Sequence, residues 1–161
     1  MTPLRQKGLS LIEVMITLAV FSFGLLALAA LMASGLKYNT SALHRSYATS
    51  QAYDMADRIR ANGLGLDAGY YIGLSDSLTD LNCADFESEV VSCSPKQMAQ
   101  YDVSDWNKAN ARLLPEGKGN VSPKSNDPDS ADFGIYTITI SWNDDRDPDT
   151  PDVSFIVEFQ P

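Results

Sequence analysis

The chain has 161 residues, with 12 Lys+Arg against 21 Asp+Glu, one His, two Cys and a formal net charge of −9. That length allows one ordinary domain with an appendage, and the acidic balance argues against a nucleic-acid surface, which needs cations to displace phosphate counterions. An apolar share of 44% excludes a disordered acidic chain, while two cysteines and one histidine leave little for a zinc site or a histidine-based triad.

In chain order, Met1 to Gly8 is a short polar leader carrying Arg5 and Lys7. From Val14 to Leu36 there follow 23 consecutive residues without a charge. At about 1.5 Å per residue, that run as a helix crosses a hydrocarbon core of roughly 30 Å. The leader's two bases favour a cytoplasmic N-terminus and export of the rest. A secretory signal peptide cut after Ala29 is the competing reading, since Ala27-Leu28-Ala29 has the small-x-small pattern. Against it, the apolar run continues to Leu36, beyond the roughly 7–15 residues of a signal-peptide core. Glu13 stands inside the start of the apolar segment. A carboxylate there either lies at headgroup depth or requires a cation, because an unpaired charge in an apolar setting is costly.

The helix is predicted to continue. Ala48, Ala52, Met55 and Ile59 recur at spacings of 4, 3 and 4, one face of an α-helix. Asp54 and Arg58 form an i,i+4 pair. Asn62-Gly63 is expected to stop the helix, with Gly63 in the left-handed position. Arg58 and Arg60 are expected to be solvated helix-end charges complementing the dipole. His44 is placed alone on the exposed stem, with no nucleophile or orienting group that would make it a general base. Up to Asn62 the charge is +3 (six bases, three acids); from Gly63 it is −12 (six bases, eighteen acids).

Beyond Gly63, Met98 to Leu114 is expected to form a short helix with Trp106, Ala109 and Leu113 on one side. A strand is expected around Val121. Phe133 to Trp142 and Val153 to Phe159 alternate as half-buried strands, antiparallel neighbours joined by residues 143–152. Trp106 and Trp142 are assigned to the core. The predicted class is α+β, a long N-terminal helix backing a small antiparallel sheet. Cys83 and Cys93, ten apart in the exported part, are most simply a disulfide worth about 2–3 kcal/mol. Asp145, Asp147 and Asp149 have the spacing that opens a calcium loop, but Thr150 replaces the required glycine and Ile156 the closing glutamate. Solvated loop charge is the preferred reading there, as for Asp127, Asp129 and Asp132. No Gly-rich phosphate loop is present; neither an enzyme nor a cofactor is expected.

Gly8-Leu9-Ser10-Leu11-Ile12-Glu13-Val14, between a basic leader and a long apolar helix, resembles the prepilin signal of type IV pilins and type II secretion pseudopilins. The resemblance implies cleavage by a prepilin peptidase between Gly8 and Leu9, and N-methylation of Leu9. It also implies pairing of Glu13 with a neighbouring subunit's N-terminal amine during assembly. Leu9 departs from the family's usual Phe or Met. Arg45-Ser46, Ala48, Ala52 and Asp57-Arg58-Ile59-Arg60-Ala61-Asn62 further resemble the helix end of PilV minor pilins. So do Trp106, the run Leu113-Leu114-Pro115-Glu116-Gly117 and the strand ending at Trp142, with Gly65 to Val103 least covered.

The implied organisation is a leader (1–8), a transmembrane and assembly helix (9–36), an amphipathic extension (37–62) and a periplasmic α+β head (63–161). The implied role is that of a minor pilin priming pilus assembly within a minor-pilin complex at the tip. Its partners would be other minor pilins, the major pilin, the prepilin peptidase, the inner-membrane assembly machinery and a tip adhesin. The implied location is the inner membrane, in a single pass with a periplasmic head, and then the pilus at the cell surface, with twitching motility among the functions such a pilus serves. A type II secretion minor pseudopilin and a membrane-anchored binding protein are the competing readings.

Overall fold

The computed structural model describes residues 10–74, 82–84, 92–144, 147 and 149–161. The elements run α1 (Leu11–Ala61), α2 (Gly63–Asp67), α3 (Pro95–Leu113), β1 (Lys118–Pro123), β2 (Tyr136–Trp142) and β3 (Val153–Phe159). Two compact units are present, Met1–Ser41 and Ala42–Pro161. The α+β expectation holds: a long N-terminal helix with a small antiparallel sheet.

In the second unit, the part of α1 from Ala42 buries Ala48, Ala52, Met55 and Ile59, the stripe its periodicity predicts, and Ala56 beside them. The same core takes Ala99, Val103 and Trp106 from α3, and Val121, Ile138, Ile140 and Trp142 from the sheet. The Trp106 indole N–H donates to the Gln51 carbonyl at 2.8 Å, which ties α3 to α1 and satisfies the ring's one polar atom.

The helix stops where predicted, at Ala61 before Asn62-Gly63, but not by the predicted means. Gly63 is not in the left-handed region but begins α2. Asn62 makes the turn instead: its side-chain oxygen accepts the Gly65 N–H at 3.2 Å, which is an N-cap of the next helix. An Asn at this position can serve either helix, and here the cap of α2 prevails.

Helix α3 begins three residues before the predicted Met98. Ser94 and Gln97 form a reciprocal capping box, with Pro95 at the first turn where its missing N–H is harmless. Its inward face also differs from the expected one. Ala99, Asp102, Val103, Trp106, Asn107 and Asn110 are buried, whereas Leu113 is exposed and Ala109 only half-buried. An apolar-only reading misplaces that face because four of its buried residues, Asp102, Ser104, Asn107 and Asn110, are polar. The run Leu113 to Gly117 turns α3 into β1, with Glu116 in the left-handed region (φ 53°).

The sheet has order β1-β2-β3, antiparallel throughout. Val121 pairs with Ile138 and Ile138 with Val157; Gly119 pairs with Ile140 and Ile140 with Phe155. Along β2, Ile138, Ile140 and Trp142 are buried, as the alternation predicts. Gly119 lies directly under Trp106, and a methyl group there would collide with the indole ring.

Candidate functional site

Taken by itself, the first unit is an apolar helix with no internal core. Every large apolar residue from Leu11 to Leu36 is exposed, Leu11 by 81% and Phe23 by 73%. At about 25 cal/mol per Å² of apolar surface, such a stripe is unfavourable in water and favourable in hydrocarbon or against other helices. The helix carries one stretch long and apolar enough to cross a membrane. Its hydroxyls are already internally satisfied. Thr17 donates to the Val14 carbonyl at 2.9 Å, Ser22 to Leu18 at 2.7 Å, and Ser34 to Ala30 at 3.0 Å. These bonds lower the cost of placing the hydroxyls among lipid tails.

Glu13 lies in the first turn of α1, exposed, with its N–H on the Ser10 carbonyl at 3.0 Å. A carboxylate is favourable near a helix N-terminus, where the amide dipoles present positive charge. Among the residues from Leu11 to Leu36 it is the single charged group. Gly8 and Leu9, the predicted cleavage and methylation positions, lie outside the described residues.

In the second unit the sequence-derived charges are rearranged. Arg58 is not a solvated helix-end charge. Its Nε meets Asp54 Oδ2 at 2.9 Å, one Nη meets Asp105 Oδ2 at 3.0 Å, and the other lies 3.7 Å from Asp102 Oδ1. Burial acts to lower the guanidinium pKa, but Asp54 and Asp105 outweigh it and raise it. The Tyr71 hydroxyl donates to Asp102 Oδ2 at 2.6 Å, and the Asn62 amide donates to Tyr71 at 3.1 Å and to the Pro95 carbonyl at 2.8 Å. Burial raises the Asp102 pKa against the opposing effects of Tyr71 and Arg58. Burial, then the bond to Asp102, pushes the Tyr71 hydroxyl up as well. This network joins the end of α1, the turn after α2 and the inner face of α3. The sequence marks Asp54–Arg58 but holds no local signal for Asp102, Asp105 or Tyr71. Arg60 pairs with Asp57 at 3.0 Å and stacks 5.4 Å over the Phe159 ring.

His44 is likewise not alone on an exposed stem. It is 7% exposed, and its Nδ1 lies 2.8 Å from Asp144 Oδ1, which also accepts the Trp142 indole N–H at 3.1 Å. The partner comes from the loop after β2, and no helix-local pattern could have announced it.

Cys83 and Cys93 are disulfide-bonded, with a Cα–Cα distance of 5.9 Å. Of the calcium-loop candidates, Asp145 lies outside the described residues. The Asp147 carboxylate accepts the Asp149 N–H at 3.0 Å, a turn-forming bond within its own loop. Asp127 does the same for Asp129 at 3.0 Å, and Asp132 meets Lys124 at 3.1 Å. Among the described residues no group of three or more His, Cys, Asp or Glu side chains is placed to hold a metal ion.

Comparison with known families matches two stretches of the chain. The model described as prokaryotic N-terminal methylation motif matches residues 3–29, and that described as type IV pilin Tt1218 matches residues 30–104. No curated protein and no solved structure matches the chain. Together the two matches make the chain similar to type IV pilins over residues 3–104. The methylation motif and the apolar N-terminal helix fit a membrane-anchored pilin.

Proposed function

We propose that this chain is a minor pilin of a type IV pilus, of the PilV kind, which helps to prime assembly within a minor-pilin complex at the pilus tip. The observation that carries the reading is one carboxylate, Glu13, in the first turn of α1 and at the start of the stretch Leu11–Leu36, which is otherwise uncharged and exposed along its length. The methylation-motif match over residues 3–29 adds to it. Cleavage between Gly8 and Leu9 and methylation of Leu9 leave a new amine close to the helix start. In the bilayer the helix waits as an anchor with the acidic head in the periplasm. On assembly the apolar helices bundle, and Glu13 takes its cation from the N-terminal amine of a neighbouring subunit. That pairing is strong because water is excluded, and a mismatched helix leaves the carboxylate unpaired.

Partner identity follows from the resemblance of Arg45-Ser46, Asp57 to Asn62 and Leu113 to Gly117 to PilV proteins. The test is intact mass of the membrane-extracted protein combined with identification of what co-purifies. Loss of Met1–Gly8, gain of one methyl group and recovery of minor pilins are expected. Recovery of secretion-system subunits instead replaces the reading with a minor pseudopilin. An uncleaved chain replaces it with an anchored binding protein.

A further inference from the structure

The two edges of the sheet are treated in opposite ways. On β1 the outward backbone is occupied: the Gly119 N–H donates to Asn107 Oδ1 at 2.7 Å, and Asn107 Nδ2 donates to the Gly119 carbonyl at 3.2 Å. Asn107 thus imitates a neighbouring strand. The edge also begins with Lys118, ends with Pro123 and packs against α3, and its inward Val121 is 1% exposed. Each of these is a known means of preventing strand addition.

Edge strand β3 has none of them. Val153–Phe159 contains no proline, glycine or lysine. Among the described residues, no backbone hydrogen bond reaches its outer side. Its inward Phe155 and Val157 are only half-buried, and Ile156 is 57% exposed. The direction of its free groups follows from the register. Because Gly119 points its N–H and C=O away from β2, its partner Ile140 points toward β3, and so Phe155 bonds back to β2. Alternation along an antiparallel strand then turns the backbone of Ser154, Ile156 and Glu158 outward.

We propose that the free edge of β3 is a docking site for an extended segment of a partner protein, which adds as a fourth strand. Three outward N–H and C=O pairs supply the register. The added strand would also cover the open sides of Phe155 and Val157, so alternate apolar residues are required of it. Charge sets the rest of its chemistry. Asp149 and Asp152 are exposed at the start of β3, and Thr150 to Pro161 contains no Lys or Arg. Glu158 is engaged by Lys124 at 2.8 Å and Arg60 covers Phe159, whereas among the described residues no cation meets the end at Asp152. The partner segment therefore carries a basic residue beside Asp152. A second copy of this chain is a poor occupant, since from Gly63 on it brings eighteen acids against six bases.

The test uses the full chain in detergent micelles and short synthetic peptides alternating valine and threonine, ended by lysine or by glutamate. Amide exchange at Ser154, Ile156 and Glu158 is expected to be fast in the free chain and slowed by the lysine-ended peptide. That peptide should bind saturably, about tenfold more weakly to Ile156→Pro, which removes an outward N–H and no bond to β2. Asp152→Lys should abolish its advantage over the glutamate-ended peptide. Should the proline variant fail to fold, the exchange measurement on the unaltered chain decides. The proposal is overturned if the three amides are already protected in the free chain or become so by self-association. It is equally overturned if the lysine-ended peptide leaves them unprotected, or if the two peptides bind alike.

Discussion

The Tyr71 hydroxyl and the Asp102 carboxylate, 2.6 Å apart and both buried, form the innermost bond of the network that holds the end of α1 to α3. Asp102 is the member whose protonation matters most for stability. Burial raises its folded-state pKa above the ordinary carboxylate value. The fold therefore favours the protonated form, and this contribution is present below the unfolded-state pKa and is lost as pH rises through the folded one. Relative to Asp102→Asn, the wild type should gain thermal stability as pH is lowered from about 7 toward about 4. Melting temperatures of both proteins across that range check the sign; a gain on raising the pH instead would mean that Arg58, not burial, dominates Asp102.

Among the described residues Arg58 is the cation paired with Asp54, Asp102 and Asp105. Arg58→Met should cost about 2 kcal/mol at neutral pH, because it strands a buried carboxylate. The cost should shrink on acidification, when Asp102 takes up its proton. Denaturant unfolding at the two pH values measures both effects.

His44 and Asp144 are 100 residues apart in sequence and 2.8 Å apart in space. A double-mutant cycle with His44→Ala and Asp144→Asn should show a coupling of about 1 kcal/mol. A coupling near zero would mean that the histidine acts only as buried volume.

Gly119→Ala should destabilise the second unit by about 1–3 kcal/mol, since the new methyl group must displace the Trp106 ring. The near-ultraviolet circular dichroism of that tryptophan should change with it. A neutral outcome would require the indole to have room to move.

Glu13→Ala should leave membrane insertion unchanged while lowering incorporation into pili, because it removes the proposed partner of a neighbouring amine. Glu13→Asp should restore incorporation in part. Membrane fractionation and quantification of sheared pili separate the two steps; full incorporation of the alanine variant would remove the assembly role.

The elements most legible in the sequence were those whose signal lies within a few residues. The stripe of Ala48, Ala52, Met55 and Ile59 and the alternation of β2 and β3 are periodicities; the stripe is buried, and the strands are half-buried with their inward residues alternating, as expected. The capping box Ser94–Gln97, which sets the start of α3 three residues before the apolar pattern does, is an equally local signal. The inward face of α3 was misplaced for a different reason. Asp102, Asn107 and Asn110 read as surface residues, and two of them are admitted to the interior by distant groups, Tyr71 for Asp102 and Gly119 for Asn107.

By itself the sequence determined the uncharged helix with its single glutamate, the strand order along the chain and the pair of cysteines, because hydropathy and periodicity are sums over neighbouring residues. Only the tertiary structure decided that His44 is buried on Asp144, that Arg58 answers three aspartates, and that β1 is closed by Asn107 while β3 stays open. Those outcomes depend on which groups meet across 12, 47 or 100 residues. The free energy of burying a polar group is set by the partner it finds there. The net charge of −9 hid this most thoroughly: its aspartates are spread over turns, surface ion pairs, buried pairs and a strand edge, and charge counting treats them all alike.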